Sequence, residues 1–373
     1  MKTIINSTRV IVGLLFIFSG LVKANDPLGL SYKMEEFFEL WNITQLNQHS
    51  LWLSVAIIAF EIIAGFALLL GWGMKLFSWL LLLLIVFFSF LTGYAYLSGK
   101  FKNCGCFGDC IPISPFASFI KDLILLMLIL LLFIFRNKIK PVFGQKASIP
   151  IMLLVVAAAF GVQFYALKHL PFVDCLPFKK GNNISEKMKI PANAVPDSIV
   201  ITFIYEKQGK EIAFTADNFP ADFNDSLYIL KNRIDKIVRK GKNNEPPIKG
   251  FSLITPENID STEALLQKSG NIILLFINIQ DNEVDSKLAG FLKFCSEKGI
   301  PVYMATSDVE KLKTRALKAG WNYSIFKIDF TAFRTAARAN PTIYLLNKGS
   351  IIHKWSLADR DDAINYLNAS YPR

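Results

Sequence analysis

Five long apolar runs constrain this chain more than any other feature of its sequence. A helix of about 20 apolar residues crosses a bilayer core of about 30 Å, because it satisfies its own backbone hydrogen bonds there. The runs occupy residues 8–24, 51–71, 74–98, 116–135 and 149–168. We therefore predict an α-helical membrane bundle of about five transmembrane helices within residues 1–170.

Lysine and arginine in the short loops predict the orientation of these helices. The connection after the fourth run is the most basic loop, with Arg136, Lys138, Lys140 and Lys146. Because short cytoplasmic loops carry the excess of Lys and Arg, this loop and the N-terminus are expected inside. Five spans then place the C-terminal part outside, so we expect a bacterial inner-membrane protein with a periplasmic C-terminal domain. The first run lacks a small-x-small cleavage site, which favours a retained helix over a signal peptide.

The net charge of +11 does not predict a nucleic-acid partner. The basic residues are scattered through loops and helix faces, without an arginine-rich block or a basic stripe interleaved with aromatic residues. A basic surface next to anionic lipid explains the charge. The expected partners are the lipid bilayer and a periplasmic client or thiol partner, with no nucleic acid.

Four of the five cysteines map to the outer face of the predicted bundle. Cys104, Cys106 and Cys110 crowd the loop after the third run, and Cys175 follows the fifth run. An oxidising compartment favours disulfides. Within the loop, bridges from Cys110 to Cys104 or Cys106 are sterically easier than one within the Cys104-x-Cys106 pair. Cys175 is a further disulfide candidate. It would either resolve a disulfide of the loop by exchange or form a disulfide with a loop cysteine.

Three interpretations of these cysteines stay open at this point. The disulfides can be structural, they can exchange with another thiol or a quinone, or the thiolates can hold a metal. We expect no metal site, because the loop lacks histidine and its spacing matches no common zinc pattern. Cys295 differs, because it shares an apolar helical face with Leu288, Phe291 and Leu292 and is expected in a core.

Charged residues inside the runs are the other candidates for function. Glu61 lies in the middle of the second span, where a carboxylate is costly unless it is neutral, paired or facing water. It is a candidate proton carrier or quinone partner, and the alternative is a residue that locks helix packing. Lys121 and Asp122 begin the fourth span, where they either flank a thiol site or anchor the helix at the interface.

The C-terminal part has the pattern of an α/β domain. Residues 177–260 contain short strand-like runs between Pro, Asn and Gly clusters, which predicts a β-rich connecting region. Residues 261–373 alternate strand and helix, with Asp308 as a helix N-cap and a turn at 347–349 before the last strand. The fold class predicted is a membrane helical bundle followed by an α/β (α+β) soluble domain.

The N-terminal residues resemble two related membrane families. The opening segment TRVIVGLLFIFSGLVKANDPLG is similar to the first helix of DoxX-type proteins, through Arg9, Gly13, Phe16, Gly20, Lys23, Asp26 and Pro27. CGCFG at 104–108, followed by a span that opens SFIKDLILL, is similar to MauE proteins of methylamine utilisation. The similarity covers roughly residues 5–140. It implies a redox-associated role in disulfide formation or maturation of periplasmic partners.

The strand and helix order after residue 261 resembles a thioredoxin-like fold. ANPTIYLLNKG looks like the segment in which that family's cis-proline precedes an edge hairpin, and PPIKGFSLI at 246–254 is similar to the entry of peroxiredoxin-like domains. A catalytic thioredoxin carries Cys-x-x-Cys after its first central strand, where a helix N-terminus lowers the thiol pKa. Residues 280–284 hold no cysteine there. Pro341 is therefore a candidate client-binding residue or a structural turn.

The leading functional hypothesis is a membrane redox accessory protein whose candidate catalytic residues are Cys104, Cys106, Cys110 and Glu61. The loop cysteines would exchange disulfides or electrons for periplasmic clients, with quinone as the candidate cofactor. The alternative is a non-enzymatic scaffold with structural disulfides and a protein-binding outer domain. The sequence leaves open whether the protein is an enzyme.

Overall fold

A computed structural model describes residues 2–100, 105, 107–239, 241–278 and 286–370. The first six helices are α1 (Lys2–Ala24), α2 (Pro27–Leu40), α3 (Ser50–Leu70), α4 (Met74–Ser98), α5 (Pro115–Ile134) and α6 (Gln145–Lys168). Within these residues, five helices are long and apolar enough to cross a membrane: all of the six except α2. The prediction of about five spans is confirmed, and the chain is a multi-pass membrane protein.

Helix α2 occupies a segment that was predicted only as an outer loop. The Asp26 side chain accepts a hydrogen bond from the backbone N–H of Gly29, and Pro27 stands at the start of the helix, where its missing N–H costs nothing. The helix buries Leu30 and Phe37 against the bundle. At 14 residues it is too short to span a bilayer, so hydropathy did not single it out.

Glycines let helices α1 and α3 pack with their backbones close together. A Cβ atom on Gly65 would lie 2.7 Å from the carbonyl oxygen of Gly13, and one on Gly20 would lie 2.6 Å from the Cγ1 atom of Ile62. Small residues at such crossings allow close contact where no hydrophobic effect drives helices together in lipid. This packing sets the position of Glu61, one turn before Gly65 on α3.

Within the described residues, fourteen further α-helices and β-strands follow the bundle. They are α7 (Ile184–Lys187), β1 (Ser198–Lys207), β2 (Lys210–Thr215), β3 (Ile229–Arg239), α8 (Thr262–Leu266), β4 (Asn271–Phe276), α9 (Ser286–Glu297), β5 (Val302–Thr306), α10 (Val309–Ala319), β6 (Ser324–Lys327), α11 (Phe330–Ala336), β7 (Thr342–Asn347), β8 (Ser350–Ser356) and α12 (Arg360–Ser370). The described strands form an antiparallel sheet of order β2-β1-β3 and a five-stranded sheet of order β6-β5-β4-β7-β8.

The five-stranded sheet has a thioredoxin-like topology, as predicted. Strands β4, β5 and β6 are parallel, and the hairpin β7–β8 completes the sheet in antiparallel pairing. The Asn340–Pro341 peptide bond that precedes β7 is cis. Asp308 caps α10 by accepting from the backbone N–H of Lys311, as its position predicted. Strand β6 and helix α11 were not predicted from the sequence.

The central strand β4 is buried on both faces. Its even-numbered residues Ile272, Leu274 and Phe276 point into one core, and the odd-numbered Ile273 and Leu275 point into the other. The first core also receives five residues from the predicted connecting region: Phe178, Ile184, Ile248, Phe251 and Leu253. The boundary at residue 260 stays a prediction, but parts of the chain on both sides of it share one core.

Candidate functional site

A disulfide joins Cys110, in the loop between α4 and α5, to Cys175, which follows α6. The two Cα atoms are 4.9 Å apart, and the residues are separated by 65 positions in the chain. Cys104 and Cys106 lie outside the described residues. Since Cys110 is bonded to Cys175, the structure does not contain the pairings of Cys110 within the loop that were expected to be easier. The segment after α6 turns back to the loop, which sequence spacing could not show.

Asn25, at the end of α1, holds both segments that carry the disulfide. Its Nδ2 atom donates to the backbone oxygen of Val173 at 2.9 Å and lies 3.9 Å from the Sγ atom of Cys110. Its Oδ1 atom accepts from the backbone N–H of Val173 at 2.9 Å. One side chain therefore fixes the Cys110 loop and the Cys175 segment to the same helix end.

An aspartate precedes each of the two bonded cysteines, and each aspartate pairs with a cation of the thioredoxin-like domain. Arg338 donates from Nη2 to the Oδ2 atom of Asp109 at 2.9 Å. Lys354 donates from Nζ to the Oδ2 atom of Asp174 at 2.7 Å. Both cations are buried, with side-chain exposures of 5% and 4%. Ion pairs from the thioredoxin-like domain thus hold the chain segments on both sides of the disulfide.

Arg338 also reaches the membrane bundle itself. Its Nε atom donates to the Oδ2 atom of Asp26 at 2.7 Å, and its Nη1 atom donates to the backbone oxygen of Arg334 at 2.6 Å. Burial raises the pKa of Asp26, although Arg338 opposes that rise. Burial also acts to lower the pKa of Arg338, but the carboxylates of Asp26 and Asp109 outweigh it and raise that pKa.

One further ion pair and one histidine–carboxylate contact join the domain to the bundle around this centre. Arg334 lies 2.5 Å from a carboxylate oxygen of Glu35 on α2, and His169 lies 2.5 Å from Asp359. Because charges taken out of water need a partner, these pairs fix the relative position of the two parts of the chain. The segment leading to cis-Pro341 therefore lies against the loop that carries the disulfide.

The predicted client-binding residue Pro341 borders a cavity of about 220 Å³. Leu167 and Lys168 at the end of α6 line the opposite side of this cavity. Beside the proline, Asn340 donates to the backbone oxygen of Asn278 at 2.6 Å, and the N–H of Asn278 donates back to the Asn340 side chain at 2.9 Å. The predicted replacement of Cys-x-x-Cys, residues 280–284, lies outside the described residues.

A second, larger cavity lies inside the bundle, and Glu61 is part of its wall. It has a volume of about 250 Å³ and is lined by residues of α1 to α5, mostly apolar. Glu61 is buried and lies 2.5 Å from the Nζ atom of Lys23, and it accepts a hydrogen bond of 2.9 Å from Ser19. The lysine that pairs with Glu61 was seen in the sequence only as part of a family pattern.

Asp122 and Lys121 form another ion pair on the wall of the same cavity. The Asp122 carboxylate is buried and accepts a 3.0 Å hydrogen bond from Thr92 Oγ1 on α4. The interpretation of Asp122 as an interfacial anchor is therefore wrong, because this side chain points into the bundle. Gly105 and Phe107 of the cysteine loop also line this cavity, so the loop forms part of its wall.

Cys295 lies in the core of the thioredoxin-like domain, as its helical face predicted. It is completely buried, and this burial raises the pKa of its thiol to about 12. Since the thiolate is the reactive form, a thiol with this pKa is neutral and unreactive at physiological pH.

We expect Cys295 to resist maleimide in the folded protein near pH 8, because its pKa of about 12 leaves almost no thiolate at that pH. The measurement counts labelled cysteines by mass spectrometry in the reduced full-length protein and in a Cys295→Ala variant. The two counts should agree in the native state and differ by one after denaturation. Labelling of native Cys295 as fast as the loop cysteines would contradict its burial.

Two ranges of the chain match known protein families. Residues 1–135 match the family described as methylamine utilisation protein MauE, and residues 199–240 match a domain of unknown function. Over these residues the N-terminal part is similar to MauE-type membrane domains. The second match coincides with the three-stranded sheet β2-β1-β3.

One curated relative and one solved structure are also similar to this chain. Protein TlpB of Flavobacterium psychrophilum is 26% identical over 207 residues, which cover 55% of this chain and 56% of the relative. The chain thus matches little more than half of that relative's length. The solution structure of a thiol:disulfide interchange protein from Bacteroides sp. is 14% identical, covers 33% of this chain and 86% of its own, and has a TM-score of 0.28.

Proposed function

We propose that this protein is an inner-membrane thiol:disulfide redox protein in which Cys110–Cys175 is the exchangeable disulfide on the periplasmic face. The proposal rests mainly on two ion pairs, Arg338 with Asp109 and Lys354 with Asp174. Each aspartate directly precedes one of the two bonded cysteines. A merely structural staple needs no buried cation on each side. The MauE and TlpB similarities agree with a redox role.

In the proposed reaction, a client dithiol reduces the Cys110–Cys175 disulfide. A client thiolate attacks one sulfur, the S–S bond breaks, and a mixed disulfide forms. The second client thiol then displaces the cysteine, which leaves an oxidised client and two thiols at Cys110 and Cys175. Arg338 and Lys354 hold Asp109 and Asp174, and with them the two neighbouring cysteines, in place for this exchange.

The thioredoxin-like domain then acts as a positioning domain in this proposal. It holds the membrane-loop disulfide against the segment before cis-Pro341, and the cavity beside Pro341 is the proposed client contact. Cys104 and Cys106 are proposed to relay electrons inward, because Gly105, which lies between them in the chain, lines the bundle cavity. A quinone is the proposed acceptor of these electrons.

The competing function is a non-enzymatic scaffold in which Cys110–Cys175 only braces the outer loop. The disulfide itself favours this alternative, because it links two segments that already meet through Asn25. The two functions differ in whether a client dithiol can open the bond, which can be measured directly.

We expect a Cys175→Ala variant of the full-length protein to accumulate a mixed disulfide at Cys110. The variant also carries Cys104→Ala and Cys106→Ala, so no loop thiol can displace the adduct. Cys110 attacks a peptide whose only cysteine is blocked by 2-thiopyridine, which joins the peptide to Cys110 and releases thiopyridone. Non-reducing electrophoresis and mass spectrometry detect the adduct, and Cys295→Ala is the matched control that forms none. If Cys110 forms no adduct and the wild-type disulfide survives an excess of reduced peptide, the scaffold function is correct.

A further inference from the structure

The cavity inside the bundle has mostly apolar walls that also carry two ion pairs, one of them fully buried. We propose that this cavity binds the ring of a membrane quinone and that the Lys23–Glu61 pair supplies protons to it. The inference rests on the proposed function for the source of electrons, but the binding site is defined by described residues alone.

A fully buried ion pair and a second pair with a buried carboxylate mark this cavity as a site for a polar head group rather than a gap between helices. Charges inside a bilayer are costly, and they concentrate at substrate and proton sites. Here Lys23 and Glu61 form one pair, and Lys121 and Asp122 form the other. A pocket for lipid tails alone would gain nothing from either pair. A quinone ring presents two carbonyl oxygens that accept hydrogen bonds from ammonium groups.

The rest of the lining fits an aromatic ring with an apolar tail. Trp41, Phe88 and Phe107 line the cavity, with the Lys23 ammonium 5.2 Å from the centre of the Phe88 ring and the Lys121 ammonium 5.5 Å from that of Phe107. A volume of about 250 Å³ lies at the lower end of ligand sites and suits a head group alone.

The cavity is also accessible from the surface of the bundle that faces lipid. Leu15, Leu53 and Phe87 line the cavity and are 39%, 40% and 44% exposed on the bundle surface. A long isoprenoid tail can therefore leave the cavity between α1, α3 and α4 and remain in the bilayer. Such a lateral entrance admits a substrate dissolved in the membrane.

The chemistry balances with a loop dithiol as the electron source. Two loop thiols each lose one proton and one electron, and one S–S bond forms between them. The quinone takes up two electrons and two protons and becomes a quinol. The Lys23 ammonium donates to the Glu61 carboxylate, which also accepts from Ser19, so Lys23 is the proton donor on the cavity wall and Glu61 positions it. Lys23 passes one proton at a time to the ring and is reprotonated by the protons that the two thiols release.

Binding is tested on the oxidised full-length protein in nanodiscs, where no thiol can react. Decylubiquinone should quench tryptophan fluorescence saturably, because Trp41 lines the cavity. Trp41→Phe should remove the saturable quenching. Trp79→Phe should retain it, because Trp79 is 51% exposed and packs on Phe133 outside the cavity. Two results would show that the quinone site is wrong. One is that palmitate restores the quenched fluorescence by displacing decylubiquinone. The other is that the fluorescence of Trp41→Phe is quenched as in the wild type.

Proton supply is tested by following quinol formation from the reduced protein. Glu61→Gln should slow this reaction at least tenfold and leave decylubiquinone binding within about twofold. The matched control Glu39→Gln removes an exposed carboxylate of α2 and should leave the rate unchanged. An equal rate in Glu61→Gln and Glu39→Gln would overturn the proton role.

These outcomes separate the inference from the proposed function. Saturable quinone binding without any Cys110 adduct would leave the cavity as a quinone site and remove the disulfide exchange. A Cys110 adduct without quinone binding would keep the exchange and overturn the quinone site.

Discussion

Replacing Arg338 by methionine should release the thioredoxin-like domain from the membrane bundle. The change removes the cation that Asp26 and Asp109 both contact, and the Asp26 side chain is only 14% exposed. Removal of one partner from a buried ion pair costs about 3–5 kcal/mol. Even the lower figure shifts the docking equilibrium by about a hundredfold.

Two measurements follow the release of the domain in the full-length protein. Chymotrypsin should cut Arg338→Met faster between α6 and the domain, and dithiothreitol should reduce Cys110–Cys175 at lower concentration. Arg360→Met is the matched control, because Arg360 pairs only with the largely exposed Asp361, and surface pairs contribute about 0–1 kcal/mol. Equal protease sensitivity in both variants would show that Arg338 does not hold the domain.

The Arg338→Met defect should also depend on pH. Burial raises the pKa of Asp26 above its ordinary value, so the folded state prefers the neutral carboxyl. Such a group contributes stability below its unfolded-state pKa and loses it as pH rises through the folded-state pKa. Without Arg338, no neighbouring cation favours the Asp26 carboxylate, so this loss of stability at higher pH is larger. Docking of the variant should therefore recover at about pH 5 relative to pH 8, and a defect independent of pH would assign the effect to Arg338 packing alone.

Replacing Lys23 by methionine should destabilise the bundle by about 3 kcal/mol, because it leaves Glu61 buried without its cation. The free energy of unfolding is measured by denaturation with sodium dodecyl sulfate from mixed micelles. The double variant Lys23→Met with Glu61→Leu should recover most of the loss, since both charges are then gone.

The double variant separates packing from function at Glu61. If the pair only locks helices together, the double variant should be stable and should still reduce decylubiquinone. We expect it to be stable and to lose quinol formation. Lys249→Met is the control for loss of an exposed pair, with Glu245, and should change stability by less than about 1 kcal/mol. A double variant no more stable than Lys23→Met would show that Lys23 and Glu61 are not coupled.

Much of the site was visible in the sequence as separate residues. Glu61 stands out because a carboxylate inside an apolar run is costly, and Cys110 and Cys175 stand out because they border spans. Their partners did not stand out. The two Asp-Cys dipeptides, at 109–110 and 174–175, were the available signal for Arg338 and Lys354, since each aspartate needed a cation.

The sequence by itself determined the elements that depend on local periodicity and composition. It predicted the five apolar helices, the alternation of strand and helix after residue 261, the Asp308 cap and the burial of Cys295, because each reads from residues within a few turns of one another. The same local logic missed α2, which neither spans the bilayer nor forms a long periodic run.

Only the tertiary structure decided which distant groups meet. Cys110 bonds to Cys175 across 65 residues, and Arg338 pairs with Asp26 across 312. The cavity likewise exists only where α1 to α5 pack around it. Such contacts depend on how whole helices and sheets pack against each other, and no pattern within one segment encodes that geometry.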